Sequence, residues 1–401
     1  MPVTVDLTSD EFRSNPYPTY IRLRSEAPVC RVRMGKRQSA WLISRYTDVK
    51  EAIRDYRFTK DREKLPSVKQ PWMPSMFRPL AKNMLDTDPP DHTRLRALVQ
   101  KAFTPRTIEA LRKRIEELTD ELLSRAVVNR QFDLIIEYAL PLPTTIIAEL
   151  IGVPAQDRHA FHRWSARIVS LTPTASLESL FAFPAVIAFL RYIRKQIRAR
   201  REHGTDDLLS ALVAAEEAGE KLSEDELVAM IFLLLIAGHE TTVNLVANGA
   251  LALIEYRDQT EKLRANNSLM KLAVEEMLRY YSPVEFSTER WAHEGIKIGN
   301  TVIPKGELVF AGLGSANRDS EQFEDAHLFK VDREPNPHLA FGYGPHYCLG
   351  ASLARLEAEI AFTTLLNRLP ILRLATPREK LRWRKGMLLR GLEKLPITAN
   401  S

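Results

Sequence analysis

The sequence predicts a mainly α-helical protein with small β-sheets, and three observations carry that expectation. Helical periodicity dominates from roughly Thr104 to Tyr281. One stretch, "KLSEDELVAMIFLLLIAGHETTVNLVANGALALIEY", continues without proline for about 30 residues, which is long for a globular helix. Strand signals are few, short and mainly near the two ends.

Taken in order, "SAWLISR" near the N-terminus reads as a strand. "FTPRTIEALRKRIEELTDELL" opens with the cap Thr104 and with Pro105 at the first helical position, so a helix is expected. In "RYIRKQIRARR", Arg191, Arg194, Lys195, Arg198 and Arg201 share one helical face, with Leu190, Ile193 and Ile197 on another. That is a surface helix with a solvated basic side; no nucleic-acid-binding motif accompanies it. The long stretch starts at a capping box, Ser223 and Glu226, and is apolar on nearly every face, so it is expected to be buried in the centre. "AVEEMLRYYSP" is a helix ended by Ser282 and Pro283, and "IKIGNTVIPKGELVFAG" reads as hairpins with Gly-Asn and Lys-Gly turns. In "FGYGPHYCLGASLAR", Gly342, Gly344 and Pro345 mark a loop, after which Leu353, Leu356, Ile360 and Leu365 recur with helical spacing.

No internal repeat, low-complexity tract or Gly/Ser linker interrupts the chain, so one domain over residues 1–401 is expected. The chain is 45% hydrophobic and 27% charged, as in ordinary soluble proteins with a large core. The polar, proline-broken start "MPVTVDLTSDEFRSNPYP" reads as neither signal peptide nor anchor. The longest apolar run, "LVAMIFLLLIAG", is about a dozen residues, short of the roughly 18 that suggest a membrane span. A cytosolic protein without a membrane anchor is expected. A net charge of +6 permits an acidic partner without requiring one. Two cysteines exclude a four-cysteine zinc site and a cysteine-ligated iron–sulfur cluster. Cys30 reads as a small buried hydrophobe.

The other cysteine, Cys348, lies where a helix should begin, amid unpaired backbone N–H groups and the positive end of the helix dipole. Such a place favours the thiolate. A second unusual place is "AGHETT". Gly238 in mid-helix costs about 1 kcal/mol relative to alanine, and Glu240 is an acid in apolar surroundings. A zinc-protease reading fails, because a second histidine would be needed where Val243 stands. The Thr241 hydroxyl can bond the Ala237 carbonyl four residues back and loosen the helix, while Ala237 and Gly238 leave a flat surface. The result is a groove for a planar ligand, or else a helix kink with its acid satisfied by a distant cation. Glu276 and Arg279, three apart on a helix, form by themselves an ordinary salt bridge. His92 and Arg96 project from one helical face; Arg290 and His346 lie further along the chain. Cations of this kind suit a ligand with two carboxylates, although each alone also reads as a surface or capping residue.

A thiolate-favouring loop, a groove in an apolar helix and several cations together describe a haem pocket. Their order and identity resemble the cytochrome P-450 haem-thiolate monooxygenases. Residues Phe341 to Gly350 fit that family's cysteine-ligand signature, Ala237 to Thr241 its oxygen-activation helix, and Glu276 to Arg279 its Glu-x-x-Arg helix. "ANRD" from Ala316 and "HLAFG" from His338 resemble soluble bacterial members, and the resemblance spans nearly the whole chain.

The resemblance implies the cytochrome P-450 fold, with haem b between a long central helix and the cysteine-loop helix. It implies Cys348 as the iron ligand, with Phe341, Ala237 and Gly238 against the cofactor. His92, Arg96, Arg290 and His346 match positions that hold the propionates, and Glu276, Arg279 and Arg333 a structural triad. Glu240 and Thr241 match the acid–alcohol pair that delivers protons, and His239 is a bystander. The implied reaction inserts one atom of O2 into a lipophilic small molecule by hydroxylation or epoxidation. Electrons would come from a separate ferredoxin or flavodoxin with its NAD(P)H reductase, steered by a basic face to which Arg106, Arg112 and Lys113 are candidate contributors. A monomer is expected. Pocket residues mapped by analogy are Trp72, Met73, Met76, Phe77, Leu233, Leu234, Val284, Phe286, Met387 and Leu388. An isomerase, a coupling enzyme, a peroxide-driven hydroxylase or a haem sensor on the same scaffold are the alternatives.

Overall fold

The computed structural model describes residues 5–35, 38–66, 68, 77, 80, 83–101, 103–169, 177–205, 207–217 and 222–400. They belong to two compact units. The first comprises Met1–Gln70, Arg112–Ala139 and Thr241–Ser401; the second comprises Pro71–Leu111 and Leu140–Glu240.

All described strands lie in the first unit: β1 (Val29–Arg33), β2 (Ser39–Ile43), β3 (Phe58–Thr59), β4 (Gln131–Asp133), β5 (Arg290–Ala292), β6 (Ile296–Ile298), β7 (Thr301–Ile303), β8 (Leu308–Ala311), β9 (Ile371–Leu374) and β10 (Pro396–Asn400). The largest sheet has the order β1-β2-β8-β5-β3. Its centre is β8, whose Val309, Phe310 and Ala311 are all buried, as a strand covered on both faces requires. β8 pairs parallel with β2, Leu42 opposite Phe310, and antiparallel with β5, Arg290 opposite Val309.

The strand expected in "SAWLISR" is β2. The Gly-Asn turn joins β6 to β7 in a two-stranded hairpin, with Gly299 at φ +54°. The Lys-Gly turn does not make a second hairpin. It leads from β7 into β8, which joins the five-stranded sheet because its apolar residues need cover on two faces. The helix expected from Thr104 onward is also divided, into Pro105–Ala110 and Arg112–Ala126. Its cap is as expected, the Thr104 hydroxyl accepting from Thr107 N–H at 3.2 Å.

The central helix spans Glu224–Glu255, 32 residues. The capping box forms: Glu226 accepts from Ser223 N–H at 2.8 Å and the Ser223 hydroxyl accepts from Glu226 N–H at 3.2 Å. By length and hydropathy this helix is apolar enough to cross a membrane, contrary to the estimate from its apolar run. Between Leu227 and Leu253, however, Ala237 alone is exposed, the pattern of a core helix.

Within the first unit, this helix packs against Met270–Tyr280 and Ala351–Arg368 through Gly249. A Cβ there would lie 2.5 Å from Phe362 Cζ and 2.8 Å from Met277 Sδ, so only glycine permits the approach. Glu357 on Ala351–Arg368 is 1% exposed. Burial pushes its carboxyl up to about 8, against an opposing hydrogen bond with Thr242. The folded state therefore binds a proton that the unfolded chain has released above pH 4.5, so this group lowers stability as pH rises from 4.5 to about 8. Glu357→Gln is expected to raise the unfolding free energy measured in urea at pH 8.5, by on the order of a few kcal/mol, and to leave it nearly unchanged at pH 5. Equal pH slopes for both proteins would refute this.

The described residues of the second unit form helices and the turns between them, with no strand. In the helix Leu177–Glu202, Ile193 and Ile197 are fully buried, while Arg191, Lys195 and Arg198 are exposed. Arg194 pairs with Asp225 at 3.1 Å and Arg201 with Glu224 at 3.1 Å. The basic face is solvated and partly neutralised, as expected.

Candidate active site

The cysteine loop is closed by its own backbone. Gly342 and Gly344 take φ of +72° and +76°, a region that glycine enters freely. This turns the chain so that Cys348 N–H donates to the Phe341 carbonyl at 2.8 Å and Tyr347 N–H to the Gly344 carbonyl at 3.0 Å. The following helix begins at Ala351 with Gly350 as its cap, so Cys348 precedes the cap by two residues. Cys348 and Phe341 are half-buried. Cys30 is half-buried on β1, where desolvation raises its thiol to about 11.

Beside the loop, Glu276 and Arg279 are fully buried on Met270–Tyr280. Arg279 donates to Glu276 through Nε at 2.7 Å and Nη2 at 2.8 Å, and Arg333 Nε donates to the same carboxylate at 3.0 Å. Further guanidinium hydrogens go to carbonyls: those of Asn317, Ala326 and Leu328 for Arg279, and those of Glu324, Asp325 and Leu328 for Arg333. The expected triad is therefore a satisfied buried network. Its neighbour Glu275 forms a second, half-buried network with Arg355 and His338. Burial raises the Glu275 carboxyl, but hydrogen bonds from Arg355 and then His338 outweigh this and hold it at about 2. Sequence reasoning missed this group; its signal was a second glutamate before Glu-x-x-Arg and a histidine opening "HLAFG".

Arg290 on β5 is 6% exposed. Lys60, 5% exposed, follows β3, where Thr59 pairs with Trp291, so it comes next to Arg290 along the ladder. Its Nζ donates to Thr288 Oγ1. Lys60 was not singled out in the sequence, because a lone lysine after a two-residue strand carries no pattern. His346 is half-buried in the turn before Cys348. In the second unit, His92 is 2% exposed and Arg96 half-buried on Asp91–Gln100. Gly238 and Glu240 are half-buried, and so is Thr241, with which the first unit resumes. Helical structure is continuous through Ala237–Thr242. Among the described residues, a Cβ at Gly238 would meet Ile147 Cδ1 at 3.5 Å, an ordinary van der Waals contact. His239 is buried with Nδ1 3.0 Å from the Leu235 carbonyl.

Of the residues mapped to a pocket by analogy, Trp72, Met73 and Met76 lie outside the described residues. Phe77 and Leu234 are buried; Leu233, Val284, Met387 and Leu388 are half-buried. Phe286 is 1% exposed and packs on Phe12, Tyr20 and Phe310, which commits it to the core.

Among the described residues, no group of three His, Cys, Asp or Glu side chains could hold a metal ion. A lone thiol just before a helix suits a metal that arrives with its other ligands, and the buried cations Arg290 and Lys60 suit acidic substituents on such a group. The donor set fits haem. A family profile described as Cytochrome P450 matches residues 186–392.

The chain belongs to the cytochrome P450 family: it is a haem-thiolate monooxygenase with haem b as its cofactor. It is 48% identical to Cytochrome P450 107B1 of Saccharopolyspora erythraea, over 97% of this chain and 96% of that protein. Among solved structures, it is similar to the bacillaene polyketide synthase cytochrome P450 PksS of Bacillus subtilis 168, with TM-score 0.91, 42% identity, and 98% and 99% of the two chains covered. The myxobacterial cytochrome P450 CYP267B1 in complex with myristic acid gives TM-score 0.92 at 42% identity, with 98% and 99% covered. Bacterial members of the family are soluble and use lipophilic substrates, O2 and redox partners.

Proposed function

We propose that Cys348 supplies the thiolate that would bind the haem iron, that Arg290, His346, His92 and Arg96 would hold the propionates, and that Phe341, Ala237 and Gly238 would lie against the porphyrin. The observation that carries this reading is the backbone-closed loop that sets one half-buried thiol just before an 18-residue helix. Bound there, haem supplies the redox chemistry that activates O2 for insertion into a C–H or C=C bond. The protein's part is to ionise and fix the sulfur, neutralise the propionates and manage protons. Thr241 Oγ1 holds a proton and orders a water, while the Glu240 carboxylate exchanges protons with solvent. The whole chain acts as one catalytic domain.

Thr241→Ala is expected to lower the fraction of consumed oxygen recovered as product at least about tenfold, with peroxide released. The loss stays at or below the low end of the ~100- to 10,000-fold contributed by a proton-transfer group, because Glu240 remains. Unchanged coupling would remove Thr241 from oxygen activation and favour an isomerase or peroxide-driven reaction.

For substrate, half-buried methionine and leucine at Met387, Leu388 and Leu233 favour a flexible lipophilic molecule, a polyketide or a fatty acyl chain. The polyketide-synthase and myristic-acid relatives support that class. The test is titration of the purified protein with macrolides, fatty acids and terpenoids, following the haem low-spin to high-spin shift. A response to terpenoids alone would overturn the assignment. Electrons come from a separate ferredoxin or flavodoxin and its NAD(P)H reductase, in the cytoplasm, to a monomer. Arg112 is 3.7 Å from Glu359 and the exposed Lys113 is 4.0 Å from Glu117, so both steering charges are partly neutralised, while Arg106 is exposed.

A further inference from the structure

We propose that Glu275, acting through Arg355 and His338, clamps the cysteine loop at its entry and its exit and so fixes the Cys348 sulfur. The inference rests on the reading of Cys348 as the residue that would bind the iron. Arg355, on the helix that leaves the loop, gives Nε to Glu275 Oε1 at 2.7 Å and Nη2 to Oε2 at 2.8 Å, a bidentate fork. The same guanidinium covers the Phe341 ring, its Cζ 4.5 Å from the centroid, and donates Nη1 to Tyr347 Oη at 3.1 Å. Phe341 and Tyr347 bound the loop, and the Phe341 carbonyl is the acceptor for Cys348 N–H.

On the entry side, His338 Nδ1 accepts from Ala340 N–H at 3.2 Å, which leaves Nε2 to donate to Glu275 Oε2 at 3.0 Å. One carboxylate thus reaches the chain just before Phe341, at the Phe341 ring and just before Cys348. The loop needs such support. Its two left-handed glycines give it the right turn but no regular hydrogen-bond ladder to hold that turn. Glu276, the adjacent residue, is engaged by Arg279 and Arg333, so the two carboxylates divide the work. Lysine cannot replace Arg355, because it has neither the planar fork nor the stacking face. These are positioning residues. Partners of this kind around a metal ligand typically change affinity or activity about 10–100-fold when lost.

The experiment uses haem-loaded wild type, Glu275→Gln, Arg355→Lys and Tyr347→Phe, reduced and bound to carbon monoxide. It reads the lifetime of the red-shifted Soret band of thiolate ligation in mild urea, with far-UV circular dichroism recorded in parallel. Glu275→Gln and Arg355→Lys are expected to shorten that lifetime about 10–100-fold while helix content is unchanged, and Tyr347→Phe by less. Wild-type lifetimes in folded Glu275→Gln and Arg355→Lys would overturn the clamp. So would loss of helix in step with the band, which marks a merely structural role. If Glu275→Gln fails to fold, Arg355→Lys and Tyr347→Phe decide by the same criteria. A wild type that never shows the band would instead sink the reading of Cys348.

Discussion

Cys348→Ser is expected to abolish the red-shifted Soret band of the reduced, carbon-monoxide-bound protein and to cut monooxygenation by more than about 100-fold. Loss of a supporting hydrogen bond near a metal costs up to about 100-fold, so loss of the ligand itself should cost more. Serine preserves shape and the backbone contacts, including Cys348 N–H to the Phe341 carbonyl, so the loop stays closed. A hydroxyl, however, does not ionise near neutral pH and gives iron no electron-rich sulfur. The control is Cys30→Ser. Its thiol sits on β1 and is pushed up to about 11 by burial, so removing it should leave the band in place. A band that survives in Cys348→Ser would end the haem-thiolate assignment of this residue.

Glu276→Ala should be the most destabilising single change in the first unit. Removing one partner of a buried ion pair costs about 3–5 kcal/mol, against a total stability of about 5–15 kcal/mol. Here one carboxylate serves two guanidinium groups, of which Arg279 is 0% and Arg333 9% exposed, so its loss strands two charges. Arg279→Ala is milder in charge, since Arg333 still neutralises Glu276, but it frees the carbonyls of Asn317, Ala326 and Leu328. Urea unfolding of Glu276→Ala, Glu276→Gln and Arg279→Ala would check the order, with Glu276→Ala lowest in midpoint or in soluble yield. A Glu276→Ala midpoint equal to wild type would show that the pair contributes nothing net.

What could be read from sequence is what depends on neighbours in the chain. The Ser223–Glu226 box, the Thr104 cap and the Gly299 turn each involve residues within four positions, and each is found as expected. The cysteine loop was legible for the same reason. What depended on distant partners was not. β8 follows a turn that predicts a hairpin, yet its partner β2 lies more than 250 residues earlier, and no local pattern announces that pairing. The division of the 104–126 segment occurs at Leu111, where no glycine or proline marks it. Lys60 and Glu275 escaped notice because their importance comes from what folding brings beside them: Arg290 for one, Arg355 and His338 for the other. Phe286 was misplaced by the same blindness, its ring entering the aromatic core instead of a pocket.

At Gly249, Phe362 and Met277 stand so near the helix backbone that the three positions form one steric unit. Their allowed substitutions are consequently epistatic. An alanine at 249 is tolerable only alongside a smaller residue at 277 or 362, and the energies of the separate changes will not add. Natural variation there should proceed by paired exchanges, which ties drift in the central helix to drift in the helix that leaves the cysteine loop.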